Sequence, residues 1–159
     1  MHMPIETQAR TSLDLSGQWH YQVDEARQGE AQGFPDPTHA RDGWPQMALP
    51  NNWYRTEVGD YFGVVWFSRR FTLPPDFAGK HLTLRFHAVD YFADVWLNGE
   101  YLGHHAGYFT PFEFDVTDYV KQDGVKQDGV KQDGENVLVV KVDAPRDPTD
   151  YVLVEAAWN

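Results

Sequence analysis

Asp90 and Asp94 flank Tyr91-Phe92-Ala93 just ahead of Trp96, and two neighbouring carboxylates are the raw material of general acid/base hydrolysis. Strand geometry argues against that use. A spacing of four puts both on one face but two pleat repeats apart, beyond hydrogen-bond contact. His87, His104 and His105 suggest a metal, yet adjacent strand residues point to opposite faces, so His104 and His105 do not share an ion. With no cysteine in the chain, thiol catalysis, a disulfide framework and a zinc–thiolate site are all unavailable. No catalytic residue, metal or cofactor is therefore expected. Flat aromatic rings beside loops remain, namely Trp44, Trp53, Tyr54, Tyr61, Tyr91 and Tyr108, and such faces suit the apolar C–H side of a pyranose. Trp66, Trp96 and Phe86 fall inside alternating segments and are expected in the core.

The chain that must position these groups has 159 residues, the size of one domain. Its 13 basic and 24 acidic residues leave a formal charge of −11, which repels phosphate backbones and anionic lipid. Neither nucleic acid nor a membrane is an expected partner. No segment approaches the ~20 apolar residues of a membrane-spanning helix, so a soluble chain is expected. Its compartment is left open between the cytoplasm and, after removal of a signal, the periplasm or exterior. Met1-His2-Met3 has the look of a cloning remnant, which sets residues 1–10 apart as a flexible leader and 11–159 as one domain.

Short alternating runs recur at Gln18–Val23, Val64–Phe71, His81–Phe86, Phe92–Leu97, Phe112–Val116 and Val137–Val142. Turn residues separate them, among them Asp42-Gly43, Pro74-Pro75-Asp76 and, as the clearest hairpin signal, Asn98-Gly99. Helical periodicity is nearly absent. The expected fold is all-β, an antiparallel two-sheet β-sandwich. Arg27–Asn52, rich in Gly, Pro and polar residues, is expected to wrap the sandwich edge as an irregular connection before Trp53 returns to the core.

Val120-Lys121-Gln122-Asp123-Gly124 recurs as Val125–Gly129 and Val130–Gly134. One apolar residue per copy cannot build a core, so residues 120–134 are expected to lengthen a surface loop at little entropic cost. The lysines at 121, 126 and 131 oppose a calcium ion there.

Three blocks carry a resemblance. They are Leu15-Ser16-Gly17-Gln18-Trp19 with Leu49-Pro50-Asn51-Asn52-Trp53; Tyr61–Pro74 (YFGVVWFSRRFTLP); and Leu84–Gly99 (LRFHAVDYFADVWLNG) followed by Gly107–Thr117 (GYFTPFEFDVT). Together with Gly134-Glu135-Asn136-Val137-Leu138-Val139-Val140, they resemble the N-terminal sugar-binding domain of family 2 glycoside hydrolases, the group of β-galactosidases, β-glucuronidases and β-mannosidases. The pattern departs at the two extra VKQDG copies and at Ala106-Gly107, where two glycines are common.

The resemblance implies a galactose-binding-like jelly roll that is itself non-catalytic. The family's two catalytic glutamates belong to a downstream (β/α)₈ barrel that this chain lacks. The chain would brace that barrel and contribute to its glycan site, and the apolar end at Tyr151–Trp158 suggests a cut from a longer protein. Asp90 stands where the family places a polar residue on a loop reaching the sugar, although a loop-capping role is the alternative. His105 falls on the family's turn histidine. Carbohydrate-binding candidates are thus Asp90, Tyr91, Trp53, Tyr61, His105 and Tyr108. Rival readings are a free-standing carbohydrate-binding module and an engineered or repeat-expanded scaffold that self-associates through 120–134. Homo-oligomerisation or strand exchange at a face cut from the barrel is a further expectation.

Overall fold

The computed structural model describes residues 12–51, 53–107, 110–122, 124–125, 131–132, 134–144 and 157–158. The expected leader at 1–10 and most of the second repeat copy lie outside them. The strands are β1 (Gly17–Asp24), β2 (Gln46–Leu49), β3 (Gly63–Thr72), β4 (Thr83–Ala88), β5 (Phe92–Leu97), β6 (Glu100–Ala106), β7 (Phe112–Asp115), β8 (Gly124–Val125), β9 (Lys131–Gln132), β10 (Glu135–Ala144) and β11 (Ala157–Trp158). A six-stranded sheet runs β2-β1-β3-β10-β5-β6 and a three-stranded sheet β11-β4-β7, with all pairings antiparallel. The fold is an all-β two-sheet sandwich of jelly-roll type.

The alternating runs fold as strands because every second side chain enters the space between the sheets. Trp19, Tyr21, Val65, Phe67, Leu84, Phe86, Val95, Leu138 and Val140 form that core. The fourth strand begins at Thr83, two residues later than the sequence pattern suggests, because the Leu82 N–H is already committed to the Thr117 hydroxyl at 2.9 Å. Asn98 and Gly99 turn the β5–β6 hairpin with φ of 52° and 84°, the left-handed pair that a two-residue turn demands. Arg69 ties the first two motif blocks together by donating to the Leu15 carbonyl and, at 2.6 Å, to that of Ser16.

The segment after β1 departs from the sequence-based expectation. It contains a strand, β2, and it covers a face of the large sheet. On that outer face Val64, Trp66, Trp96, Val137 and Val139 form a second apolar cluster, closed by Phe34 with Trp44 packed against it. Asp24 anchors the cover. Its carboxylate accepts the Gln28 and Gly29 N–H groups at 2.9 Å each and Trp66 Nε1–H at 2.8 Å. A Cβ at Gly29 would lie 2.3 Å from Trp66 Nε1, so only glycine permits this approach. Buried Arg41 closes the far end by donating to the Phe34 carbonyl at 2.7 Å, to that of His39 at 2.8 Å and to that of Asp36 at 3.2 Å. Burial, helped by Arg70, pushes its guanidinium down to about 10.

The VKQDG region leaves and returns at one point. Asn136, fully buried, accepts the Lys121 N–H at 2.7 Å and donates to the Lys121 and Gly134 carbonyls at 3.0 and 3.2 Å. Between these pinned ends β8 pairs with β9, Gly124 opposite Gln132. Chain length beyond a closed neck need not disturb the sheets.

Burial works against the charge of Asp24, but the hydrogen bonds from Trp66, Gln28 and Gly29 outweigh it and hold the carboxyl below its ordinary value. Its contribution is therefore complete above the ordinary carboxylate range and is lost as pH falls through the depressed folded-state value. Asp24→Ala leaves an indole and two amide N–H groups unpaired under the cover, and should lower the unfolding free energy by about 3 kcal/mol in urea titrations at neutral pH. An unchanged midpoint would show that the cover is held by apolar contact alone.

Candidate functional site

Antiparallel pairing gathers several connections at one end of the sandwich. There β1 ends as β3 begins, with Asp24 opposite Val64, and β10 ends opposite Gly63. At the same end β5 starts opposite both Asp143 and Ala106. The three-residue link Val89–Tyr91 and the link from Gly107 to Pro111 join the two sheets at this end. Hydrogen bonds lock them together: the Gly107 N–H donates to the Tyr91 carbonyl at 3.1 Å, and the Tyr91 N–H to Asp143 O at 3.4 Å. Arg27 grips the Asp143 carboxylate with both guanidinium arms, at 2.7 and 3.2 Å.

Four of the six sequence candidates lie on or beside the connections at this end. Asp90 is 4% exposed and joined to Tyr91 by a cis peptide bond. Such burial suits a residue that fixes the Val89–Tyr91 link more directly than one that meets solvent. Tyr91 is half-buried, with its ring edge-on to Phe92 at 4.6 Å. The Tyr61 hydroxyl donates to Val64 O at 3.1 Å, and burial raises its phenol above the ordinary value. His105 lies flat on Phe112, with ring centroids 4.1 Å apart and planes 11° apart, and Phe112 in turn stacks on Phe86. The His105 Nδ1 is buried and has no hydrogen-bond partner among the described residues.

Trp53 does not join them as a stacking platform. It is 2% exposed, packs on Phe67 and donates through Nε1 to the Tyr61 carbonyl at 3.1 Å, so neither ring face is open to a sugar. The chain returns into the core at this residue, as expected at the end of the irregular connection, and that return removes Trp53 as a stacking candidate. Tyr108 lies outside the described residues, as does the side chain of Tyr54. Trp44 is engaged with Phe34 at 4.9 Å and Arg41 at 5.4 Å. Trp66 and Trp96 are buried, as their positions in alternating strands imply.

Asp90 and Asp94 are not a pair. Asp90 precedes β5 and is buried, whereas Asp94 stands on the outer face of the large sheet, bonded to His104 Nδ1 at 3.0 Å. His104 thus points outward while His105 points into the sandwich. Among the described residues no three His, Asp or Glu side chains converge as metal ligands.

The fold and its loop end place the chain in the class of jelly-roll β-sandwich domains. The model of the glycosyl hydrolases family 2 sugar binding domain matches residues 30–158, and the chain belongs to this family. A β-galactosidase of Thermoanaerobacter pseudethanolicus is 35% identical over 96 residues, 60% of this chain and 11% of that protein. A β-glucuronidase of Felis catus is 30% identical over 133 residues, 76% of this chain and 20% of that protein. Among solved structures, a Lactobacillus rhamnosus β-glucuronidase superposes with a TM-score of 0.73 at 27% identity, covering 94% of this chain and 25% of that one. An uncultured Clostridium β-glucuronidase gives 0.71 at 31% identity, covering 90% and 24%. The chain therefore spans a quarter or less of each of these relatives.

Burial, and secondarily the charge of His104, lowers the His105 imidazole below its ordinary value. The unfolded chain then binds the extra proton first, so stability should decline as pH drops below about 6.5, the ordinary histidine value. His105→Gln should flatten that decline in thermal unfolding scans across mildly acidic pH; an equally steep decline in the variant would assign it to another group.

Proposed function

We propose that this chain is the non-catalytic sandwich domain of a longer family 2 glycoside hydrolase, which braces a catalytic barrel and supplies one wall of its glycan site. The Val89–Tyr91 link, tied to Gly107 at the end of β6 through Gly107 N–H and Tyr91 O, carries the reading. A short link tied to a strand end forms a rigid rim, and rigid rims place side chains to within the tolerance that sugar recognition needs. Tyr91, Tyr61 and His105 offer the partly exposed groups of that rim, while buried Asp90 sets its shape. Hydrolysis in this family needs two glutamates about 5 Å apart, supplied by a barrel. The names of the relatives suggest β-glucuronides first and β-galactosides second as the glycan.

In this reading the domain acts on binding and leaves the bond-breaking groups alone. Within the full-length enzyme, Asp90→Asn should raise KM about tenfold for a 4-nitrophenyl β-D-glucuronide and leave kcat within about twofold. The 159-residue chain by itself should release no nitrophenol. Turnover by the isolated chain, or a variant with unaltered KM, would sink the proposal.

A further inference from the structure

Away from the loop end, a β-bulge rearranges the edge of the large sheet. Trp96 pairs with Tyr101 and Val95 with Gly103, so Leu102 is an extra residue in β6. Simple alternation would set Tyr101 and His104 on opposite faces. The bulge brings both to the outer face beside Asp94 and Trp96. A single oxygen, Asp94 Oδ1, accepts the Tyr101 hydroxyl at 2.7 Å and the Nδ1–H of His104 at 3.0 Å. Rings back the cluster on both sides: Trp96 lies 5.3 Å from Tyr101, and Phe92 stacks at 5.6 Å and 26° on His104.

This is a preorganised surface with open valences. Tyr101 is 52% exposed, so its ring offers a flat apolar face to solvent beside the polar pair. Because His104 donates through Nδ1, its neutral ring keeps Nε2 as an acceptor, and Asp94 Oδ2 is a second. Neither atom takes another hydrogen bond among the described residues. Burial, then the hydrogen bond and charge of Asp94, push the Tyr101 phenol up to about 12, so the hydroxyl remains a donor to Asp94 at every ordinary pH.

We propose that Asp94, Tyr101 and His104 form a surface glycan site that takes one neutral pyranoside. The exposed Tyr101 ring receives the C–H face of the sugar, while Asp94 Oδ2 and His104 Nε2 accept hydrogen bonds from its hydroxyls. Two acceptors suit a ligand rich in hydroxyl donors. The −11 net charge, with Glu30 beside the cluster holding Lys141 at 2.9 Å, disfavours an anionic sugar and a second copy of the chain alike. The site stands on the sheet face, so it is independent of the glycan wall proposed at the loop end.

The test is a titration of the ¹⁵N-labelled 159-residue chain with methyl β-D-glucopyranoside and methyl β-D-galactopyranoside, followed by amide shifts. Saturable millimolar shifts are expected at Asp94, Tyr101, Gly103 and His104. Tyr101→Ala should raise the dissociation constant about tenfold, and Tyr101→Phe, which keeps the ring, should raise it less. The proposal is overturned by flat shifts up to about 50 mM, by undiminished binding in Tyr101→Ala, or by tighter binding of methyl β-D-glucuronide. Shifts confined to Tyr91, His105 and Gly107 would also overturn it while supporting the loop-end reading.

Discussion

The central strands Gly63–Thr72 and Glu135–Ala144 carry apolar side chains on both faces, so neither face of the large sheet can be left to water. Everything else in the molecule answers that constraint. The small sheet covers the inner face, and the 27–45 segment covers the outer one through Phe34 and Trp44. A cover without regular ladders must satisfy its own backbone, and it does so around two buried charges. Asp24 supplies acceptors to two amides and an indole, whereas Arg41 supplies donors to three carbonyls. Lys141 adds a cation 5.8 Å above the Trp66 ring.

The cover leaves the outer face incompletely closed. Trp66 and Trp96 are sealed, but the aromatic ladder continues past the covered region to Tyr101 and His104 at the β6 edge. The inner face is closed at the loop end by the His105–Phe112–Phe86 stack. Thus the two adjacent histidines serve opposite surfaces, and each is fixed by a ring beneath it. The Val89–Tyr91 link is held at strand ends, by Gly107 on one side and Asp143 on the other.

Asn136 plays a comparable part at the other end. One buried amide joins Lys121, Gly134 and Asn98, and Asn98 in turn accepts the Val137 N–H at 2.9 Å. The hairpin turn, the neck of the VKQDG region and the start of the tenth strand are therefore one hydrogen-bonded unit. Chain length beyond that neck is thermodynamically cheap, since closure entropy grows only logarithmically.

Period-two alternation was enough to locate six strands and the Asn98-Gly99 turn, because burial on one face writes directly into side-chain order. Motif order was enough to bring the family resemblance and the loop carrying Asp90 into view. Alternation could not show which side of the sheet the Arg27–Asn52 segment would cover, since its apolar residues follow no period. Nor could it show that Asp90 and Asp94 face different surroundings. The bulge at Leu102 is the sharpest case: one extra residue reverses the facing of every side chain before it relative to those after, and only strand pairing reveals where it falls. Local residue order determined the strands, the turns and the fold class. Tertiary pairing alone decided which polar groups meet, because contacts between distant strands depend on register and cover that no short stretch of sequence contains.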